Sequence, residues 1–250
     1  MFGSRIKNQL CRLIFPPCCP FCEIQTLEEC SSPRGLPTCC ESCSDKLIGQ
    51  AWDRCHKCGA SCHPKNSFGN RCRLCHGLDL RFDRAVAIGD YRGHLRDMVI
   101  ETKREHHEVR ALQLGFLLGT QMERFEVGLE CDLVLPVPTH WFRKFKRGFH
   151  AASVIADGVC LQLGLKKEDS LMICTRLTKK QGTLLTPGRF QNVRGAFQMN
   201  RQAEVADKKV LIVDDVMTSG ATVGEVAKIL YRAGASQVQV AVAARGAKAT

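Results

Sequence analysis

The segment VLIVDDVMTSGAT, residues 210–222, decides the fold of this chain. Its first four residues are apolar and indicate a buried strand, which runs directly into two adjacent aspartates, Asp214 and Asp215. A loop of small hydroxylated residues and glycine follows, and a helix is predicted to begin near Thr222. Because ligands of open parallel sheets bind beyond the carboxyl ends of the strands, we expect a binding site at this point.

The loop after the acid pair is suited to an anion. Small residues allow backbone N–H groups to approach it closely, and the positive end of the helix dipole favours negative charge there. The side chains of Thr218, Ser219 and Thr222 add donors. A phosphate cradle beside two carboxylates suits a sugar phosphate, with the phosphate on the loop and the hydroxyls on the acids. An aspartate that merely caps a helix would explain one acid, but not two followed by this loop.

Two common nucleotide-binding classes are excluded, because the chain contains neither the GxxxxGK[ST] P-loop nor the GxGxxG dinucleotide fingerprint. From Arg84 onward, segments typical of strands alternate with segments typical of helices. This alternation predicts an α/β fold with a largely parallel sheet covered on both faces. The predicted strands are 84–91, 131–138, 171–178, 195–199, 208–215 and 237–244, and the predicted helices are 94–105, 108–125, 150–164 and 222–234.

The first third of the chain has a different character, because it contains most of the 16 cysteines. Four CxxC pairs occur there, and two such pairs can close one tetrahedral Cys₄ zinc site. The gaps between pairs fit sequential pairing. Two doublets, Cys18–Cys19 and Cys39–Cys40, each offer two candidates, and the second is chosen because x₂ spacing fits the tight metal-binding turn better. The predicted ligands are Cys19, Cys22, Cys40 and Cys43 for one site and Cys55, Cys58, Cys72 and Cys75 for the other.

The alternative for these cysteines is a secreted disulfide scaffold, which would need a signal peptide. The start of the chain has charges spread through it and no apolar core, so we expect two structural zinc ions and a cytoplasmic protein. Residues 2–14 are predicted to form an amphipathic helix that either docks onto the zinc module or contacts a membrane surface. No segment is apolar for long enough to span a membrane. We place the cysteine-rich module at 1–82 and the α/β domain at 83–250.

The formal net charge is +11, and two stretches, 133–156 and 170–203, carry basic residues without any acid. In the first of them, aromatic side chains are interleaved with the cations. Such a mixture can track and stack single-stranded nucleic acid, or it can serve the phosphates of a small ligand, and both uses stay open. The cations are Arg143, Lys144, Lys146 and Arg147, and the aromatic residues are Trp141, Phe142, Phe145 and Phe149.

The strand, the acid pair and the TSGAT loop together resemble the motif by which type I phosphoribosyltransferases bind phosphoribosyl pyrophosphate (PRPP). The segments LPVPTHWFRKFKRGFH (135–150) and QGTLLTPGRFQNVRGAF (181–197), with the paired cysteines, are similar to the ComF family of competence and DNA-utilisation proteins. Two positions depart from the family pattern: His150 stands where asparagine is more usual, and Ser219 replaces threonine but keeps the hydroxyl.

The resemblance implies a type I phosphoribosyltransferase fold preceded by a double zinc ribbon. It implies that Asp214 and Asp215 hold the ribose hydroxyls and favour the positive charge that develops when pyrophosphate leaves. Mg²⁺ would arrive on the phosphates of PRPP. The other implied contacts are Thr218, Ser219, Gly220, Ala221 and Thr222 for the 5′-phosphate, Lys103 for a phosphate, the segment with Arg143, Lys144, Lys146 and Arg147 for pyrophosphate, and Gln181, Arg189 and Asn192 in a mobile flap.

The resemblance also bears on the acceptor. Purine phosphoribosyltransferases of this fold carry an aspartate at the position of Thr218, where it acts as a base toward the purine, and threonine cannot do this near neutral pH. We therefore expect an amine-type or other nucleophile as acceptor. The alternative function is a non-catalytic competence factor that binds single-stranded DNA and at most senses PRPP. Expected partners are PRPP, single-stranded DNA and other competence or DNA-processing proteins.

Overall fold

The structure is a computed structural model that describes residues 18–24, 39–48, 53–62, 67–104, 107–142, 145, 148–178, 186–201 and 203–246. The helix predicted at 2–14 lies outside these residues. In chain order, the helices are α1 (Glu41–Ile48), α2 (Gly93–Glu101), α3 (Glu108–Phe125), α4 (Ala151–Leu163), α5 (Thr186–Val193) and α6 (Ala221–Arg232), and the strands are β1 (Ser67–Phe68), β2 (Arg71–Cys72), β3 (Ala85–Asp90), β4 (Leu133–Pro136), β5 (Met172–Cys174), β6 (Phe197–Met199), β7 (Lys209–Met217) and β8 (Gln237–Arg245).

A four-stranded parallel sheet forms the centre of the protein, with strand order β3-β8-β7-β4. β7 is an inner strand, with Val213 opposite Ala241 of β8 and Ile212 opposite Leu135 of β4. Its carboxyl end lies between those of its neighbours, with β4 paired to it as far as Val213 and β8 as far as Met217. The predicted α/β architecture is confirmed.

Helices and cysteine clusters cover both faces of the sheet, because alternate strand residues are buried on opposite sides. Ile212 and Val240 face a core that contains α6, the β5–β6 pair and the second cysteine cluster. Leu211 and Ala241 face the other core, which contains α2, α3, α4 and Cys19 of the first cluster. Each cysteine cluster thus packs into one of the two cores of the sheet.

Three details differ from the sequence-based prediction. β5 and β6 form a separate antiparallel pair and do not extend the parallel sheet. α5 occupies a segment predicted as loop, and α1 was not predicted. The signal for α5 was present, since Thr186 and Pro187 are residues favoured at a helix start, but Gly188 obscures it. Among the helices of the described segments, none has the length and apolar character needed to cross a bilayer.

Candidate functional site

The acid pair lies near the carboxyl end of β7, as the sequence predicts. Asp214 is still paired with Val242 of β8, and the strand continues to Met217, two residues beyond the predicted end. Only three residues separate Met217 from α6, which begins at Ala221. The loop can be this short because Gly220 adopts a left-handed conformation with φ 78°, which costs glycine little.

Hydrogen bonds hold the two carboxylates in place. Asp214 Oδ1 accepts a hydrogen bond from the N–H of Asp215 at 2.8 Å, and Asp215 Oδ1 accepts one from the N–H of Val216 at 2.7 Å. Lys103 completes the cluster, since its Nζ lies 2.9 Å from Asp215 Oδ2. The turn that carries Lys103 follows α2 and is fixed by the Lys103 N–H, which donates to the Ile100 carbonyl at 3.1 Å. Lys103 was predicted as a phosphate contact, and the structure places it on the acid pair.

The two acids differ in electrostatic character. Burial raises the pKa of Asp214 well above its ordinary value, and the neighbouring Asp215 charge adds to the increase. Burial acts in the same direction on Asp215, but the Lys103 ammonium outweighs it, so that the pKa of Asp215 lies below its ordinary value. The two carboxyl groups therefore differ in how readily they ionise, and Asp215 is the stronger acid of the pair.

The five predicted phosphate-binding residues differ in exposure. Thr218 and Thr222 are partly exposed, whereas Gly220 and Ala221 are buried and Ser219 is only 3% exposed. The threonine hydroxyls are therefore the side-chain donors closest to solvent in this loop. The N–H groups at the start of α6 have no earlier helical turn to donate to, as at every helix start, and the dipole of α6 makes this end positive.

Arg245, which the sequence analysis did not single out, contacts the same loop. It ends β8 opposite Met217 and is 2% exposed. Its Nη1 donates to the Met217 carbonyl at 2.9 Å and also to the carbonyls of Thr218 and Gly246. The signal was an arginine at the end of the apolar strand QVQVAVAAR, at the sheet edge that carries the acid pair.

The predicted flap is described in part. Arg189 and Asn192 lie on α5, which packs against α6, while Gln181 lies outside the described residues. Arg189 is 4% exposed, so its side chain is enclosed. The Asn192 carbonyl accepts a hydrogen bond from Arg176 Nη2 at 2.9 Å, which ties α5 to the segment after β5.

The aromatic segment after β4, in which Trp141, Phe142 and Phe145 are helical, is exposed. Trp141 is 68% exposed, Phe142 is 48% exposed and Phe145 is 84% exposed, and the rings of Trp141 and Phe142 meet edge to face at 5.9 Å. Phe149 differs, because it packs against the core. The four cations predicted for this segment, Arg143, Lys144, Lys146 and Arg147, lie outside the described residues.

The cysteines form two four-thiol clusters with the predicted pairing. Within each cluster the Sγ atoms all lie within 4.8 Å of one another. The Sγ distance is 3.7 Å for Cys22–Cys40, and the same distance separates Cys58 from Cys72. Four thiolates about 2.3 Å from a tetrahedral metal lie about 3.8 Å from one another, whereas a disulfide requires about 2.05 Å. The thiols therefore fit a metal ion. The clusters contain Cys19, Cys22, Cys40 and Cys43, and Cys55, Cys58, Cys72 and Cys75, so the second cysteine of each doublet is the one that lies in a cluster.

Arginines connect both clusters to the α/β domain. At the first cluster, Arg110 of α3 donates to the Pro20 carbonyl at 2.7 Å and pairs with Glu101 at the end of α2, two residues before Lys103. At the second cluster, Arg245 Nε donates to the Cys58 carbonyl at 3.1 Å. Each cluster is thus held next to a segment that carries part of the acid–phosphate site.

Comparison with known proteins finds similar sequences over most of the chain. Residues 150–250 match the family model of the phosphoribosyl transferase domain. DNA utilization protein YhgH of Escherichia coli K12 is 27% identical over 219 residues, which are 82% of this chain and 96% of that protein. Competence protein F of Haemophilus influenzae is 24% identical over 80% of this chain and 87% of its own length. Among solved structures, glutamine PRPP amidotransferase from B. subtilis aligns with 54% of this chain and 26% of its own, with 25% identity and a TM-score of 0.37.

Proposed function

We propose that this protein, which resembles the ComF family over most of its length and contains a phosphoribosyl transferase domain, binds PRPP at the end of β7 and transfers its phosphoribosyl group to an acceptor. The observation that carries the proposal is the arrangement of Asp214 and Asp215 directly before the phosphate-type loop, with Lys103 2.9 Å from Asp215. A helix cap needs neither a second acid nor a lysine from a distant turn.

In the proposed complex, the 5′-phosphate of PRPP lies on the loop amides at the start of α6, together with the hydroxyls of Thr218 and Thr222. The ribose then lies over the acid pair. Asp214 and Asp215 each hydrogen-bond to a ribose hydroxyl, and Asp215, the stronger acid, accepts the hydrogen bond from its hydroxyl. Lys103 lies beside Asp215 and is available to the departing pyrophosphate, which would carry Mg²⁺.

The acids would also act on the reaction itself. When the bond between C1 and the pyrophosphate oxygen breaks, its electron pair leaves with pyrophosphate and positive charge develops on the ribose. A fixed carboxylate close to the ribose stabilises this charge in the transition state more than in the ground state. The acceptor nucleophile then forms the new bond to C1. If the flap residues Gln181, Arg189 and Asn192 close over the substrate, they would exclude water from this step.

The acceptor is proposed to be a nucleophile that needs no acid or base from the loop. Thr218 stands where the purine enzymes of this fold carry an aspartate, so a purine base would find no proton acceptor there. An amine, or a group on nucleic acid, fits this loop better. The relatives named for DNA utilisation and competence favour a role in handling DNA.

Release of pyrophosphate from Mg²⁺–PRPP, measured across amines, nucleobases and single-stranded DNA, tests the proposal. The wild type should release pyrophosphate with one class of acceptor. Asp214→Asn and Asp215→Asn should each lower this turnover by about 2–4 kcal/mol of transition-state stabilisation, and should lower PRPP affinity less. A wild type that binds PRPP but releases no pyrophosphate with any acceptor would make the protein a PRPP sensor.

A second candidate function is binding of single-stranded DNA, because Trp141, Phe142 and Phe145 expose aromatic rings on the segment after β4. Each stacked base contributes about 1–3 kcal/mol, and the neighbouring cations would make the binding salt-dependent. Trp141→Ala with Phe145→Ala should weaken binding at least tenfold. Val109→Ala, which alters an exposed apolar side chain on α3, is the matched control and should leave it unchanged. No binding by the wild type at low salt would dismiss this function.

The metal in both cysteine clusters is proposed to be zinc, the ion that four thiolates hold in structural sites. Full coordination by four cysteines leaves no position for water or substrate, so we assign both ions a structural role. The domain boundary at residue 82 and the cytoplasmic location stay predictions.

A further inference from the structure

The second cysteine cluster and the phosphate-type loop share one side chain, Arg245. Its Nε donates to the carbonyl of Cys58, a predicted metal ligand, and its Nη1 donates to the carbonyls of Met217 and Thr218 in the loop. Arg245 is 2% exposed, and its hydrogen bonds to the Cys58 and Met217 carbonyls are buried. One guanidinium therefore fixes the distance between the metal-binding turn and the start of the loop.

Arg245 makes no ion pair with a carboxylate among the described residues, and backbone carbonyls are the acceptors seen for its charge. A buried cation is costly unless its donors are satisfied. The carbonyls of Cys58, Met217 and Thr218 must therefore stay in place, because they satisfy the donors of the buried guanidinium. The same positive charge lies beside a loop that is suited to an anion.

Packing reinforces this connection on the other side of the loop. A Cβ added to Gly220 would lie 2.6 Å from Leu80 Cδ2, in the segment that follows the last cysteine pair. A Cβ added to Gly246 would lie 2.7 Å from Thr218 Cγ2. Leu80 belongs to the same buried core as Cys58 and Met217. The loop is thus enclosed between Arg245 and the cysteine-rich module.

We propose that the second cysteine cluster, in its metal-bound form, is a structural part of the phosphate loop, and that Arg245 is the positioning residue that connects them. Metal binding fixes the Cys55–Cys58 turn, and that turn holds the guanidinium against the loop carbonyls. Loss of this metal would release the Cys58 carbonyl, loosen the loop and weaken phosphate binding. The ligand part of this proposal rests on the proposed PRPP site, whereas the ordering of the loop does not.

Hydrogen exchange of residues 213–224 in Arg245→Met, with zinc content measured on the same sample, tests the connection without any ligand. Arg54→Met is the matched control. Arg54 is also buried and ties the same module to the sheet, but it donates to the carbonyls of Ile88 and Gly59. Loss of hydrogen bonds to a charged group predicts exchange at least about tenfold faster in 213–224 for Arg245→Met. Arg54→Met should instead accelerate exchange near Ile88.

The metal is tested separately with Cys72→Ser and Cys43→Ser, each of which should lose one zinc ion, from the second and the first cluster respectively. Cys72→Ser should accelerate exchange in 213–224 and weaken Mg²⁺–PRPP binding at least tenfold, and Cys43→Ser, whose cluster packs on the other face of the sheet, should leave exchange in 217–224 unchanged. If Arg245→Met does not fold, these two cysteine variants still test whether the second cluster orders the loop.

Two results would overturn the proposal. One is Arg245→Met that retains both zinc ions with exchange in 213–224 within twofold of the wild type. The other is Cys72→Ser that has lost its zinc ion but shows unchanged exchange there. If the wild type does not bind PRPP, the proposed function fails, while the exchange measurements still decide whether the second cluster orders the loop.

Discussion

Lys103 and Asp215 form an ion pair with an N–O distance of 2.9 Å, although they lie on different elements that are far apart in the sequence. The pair gives adjacent aspartates opposite electrostatic characters. Asp215, next to the ammonium, has a lowered pKa, whereas burial and the charge of Asp215 raise the pKa of Asp214. In the folded protein, ionisation of Asp214 is therefore unfavourable, whereas ionisation of the adjacent Asp215 is favourable.

Asp214→Asn is expected to increase the free energy of unfolding near neutral pH. Because the pKa of Asp214 is raised in the folded state, folding favours its protonated form. The contribution of Asp214 to the free energy of unfolding is fully present below the ordinary aspartate pKa of about 4. It is lost as the pH rises through the raised pKa of the folded state. Denaturant unfolding between pH 4 and 8 should show the advantage of the variant growing with pH. A difference in stability between Asp214→Asn and the wild type that does not change with pH would contradict a raised pKa for Asp214.

Asp215→Asn is expected to have the opposite effect. The lowered pKa of Asp215 means that its contribution is present above about pH 4 and is lost as pH falls through the lower folded value. The variant also leaves the ammonium of Lys103 without its partner. At pH 7 it should lose about 1–3 kcal/mol, a value between those of exposed and buried ion pairs. Lys103→Met with Asp215→Asn should recover part of this loss, and a double variant less stable than Asp215→Asn would contradict the pairing.

Gly220→Ala is expected to destabilise the protein, by about 1–2 kcal/mol, because Gly220 has a positive φ and a new Cβ would lie 2.6 Å from Leu80 Cδ2. Gly224→Ala, four residues further on inside α6, is the matched control. Its Cβ would have Asp79 O, 4.0 Å away, as its nearest neighbour, so the gain in helix propensity should stabilise by about 0.5–1 kcal/mol. Thermal unfolding of both variants provides the measurement, and equal effects would show that the loop tolerates a side chain.

Elemental analysis of the purified protein is expected to find two zinc ions per chain. Cys19→Ser and Cys58→Ser should each lose one of them and destabilise the cysteine-rich module. Cys160→Ser, which changes a partly buried cysteine outside both clusters, should retain two. A content near one would mean that one cluster does not hold zinc, and a content near zero would contradict the zinc assignment.

The sequence alone predicts the parts of the site that are local. The apolar run 210–213, the acid pair and the small loop are contiguous, so strand, site and helix follow from one segment. The CxxC pairs are equally local, and their spacing predicts both clusters, including the choice of Cys19 and Cys40. These local features can be predicted because a short turn fixes their geometry.

The contacts that join distant segments could not be predicted in the same way. Arg245 meets Cys58 and Met217 only because β8 pairs with β7 and the second cluster packs on the same face. The pairing of Lys103 with Asp215 likewise depends on how α2 is placed on the sheet. The burial of Arg189 depends on α5, and this helix is not predicted from the sequence because Gly188 is unfavourable inside a helix.

Calorimetric titration with Mg²⁺–PRPP tests the central claim most directly, because it measures binding at the acid pair and loop without an acceptor. The wild type with both zinc ions should bind one PRPP per chain. Lys103→Met should bind it at least about tenfold more weakly, since it removes a charged contact to the ligand. Lys166→Met, which changes a lysine outside the site, should bind it as the wild type does. Absence of binding heat from folded, zinc-loaded wild type at several temperatures would contradict the account.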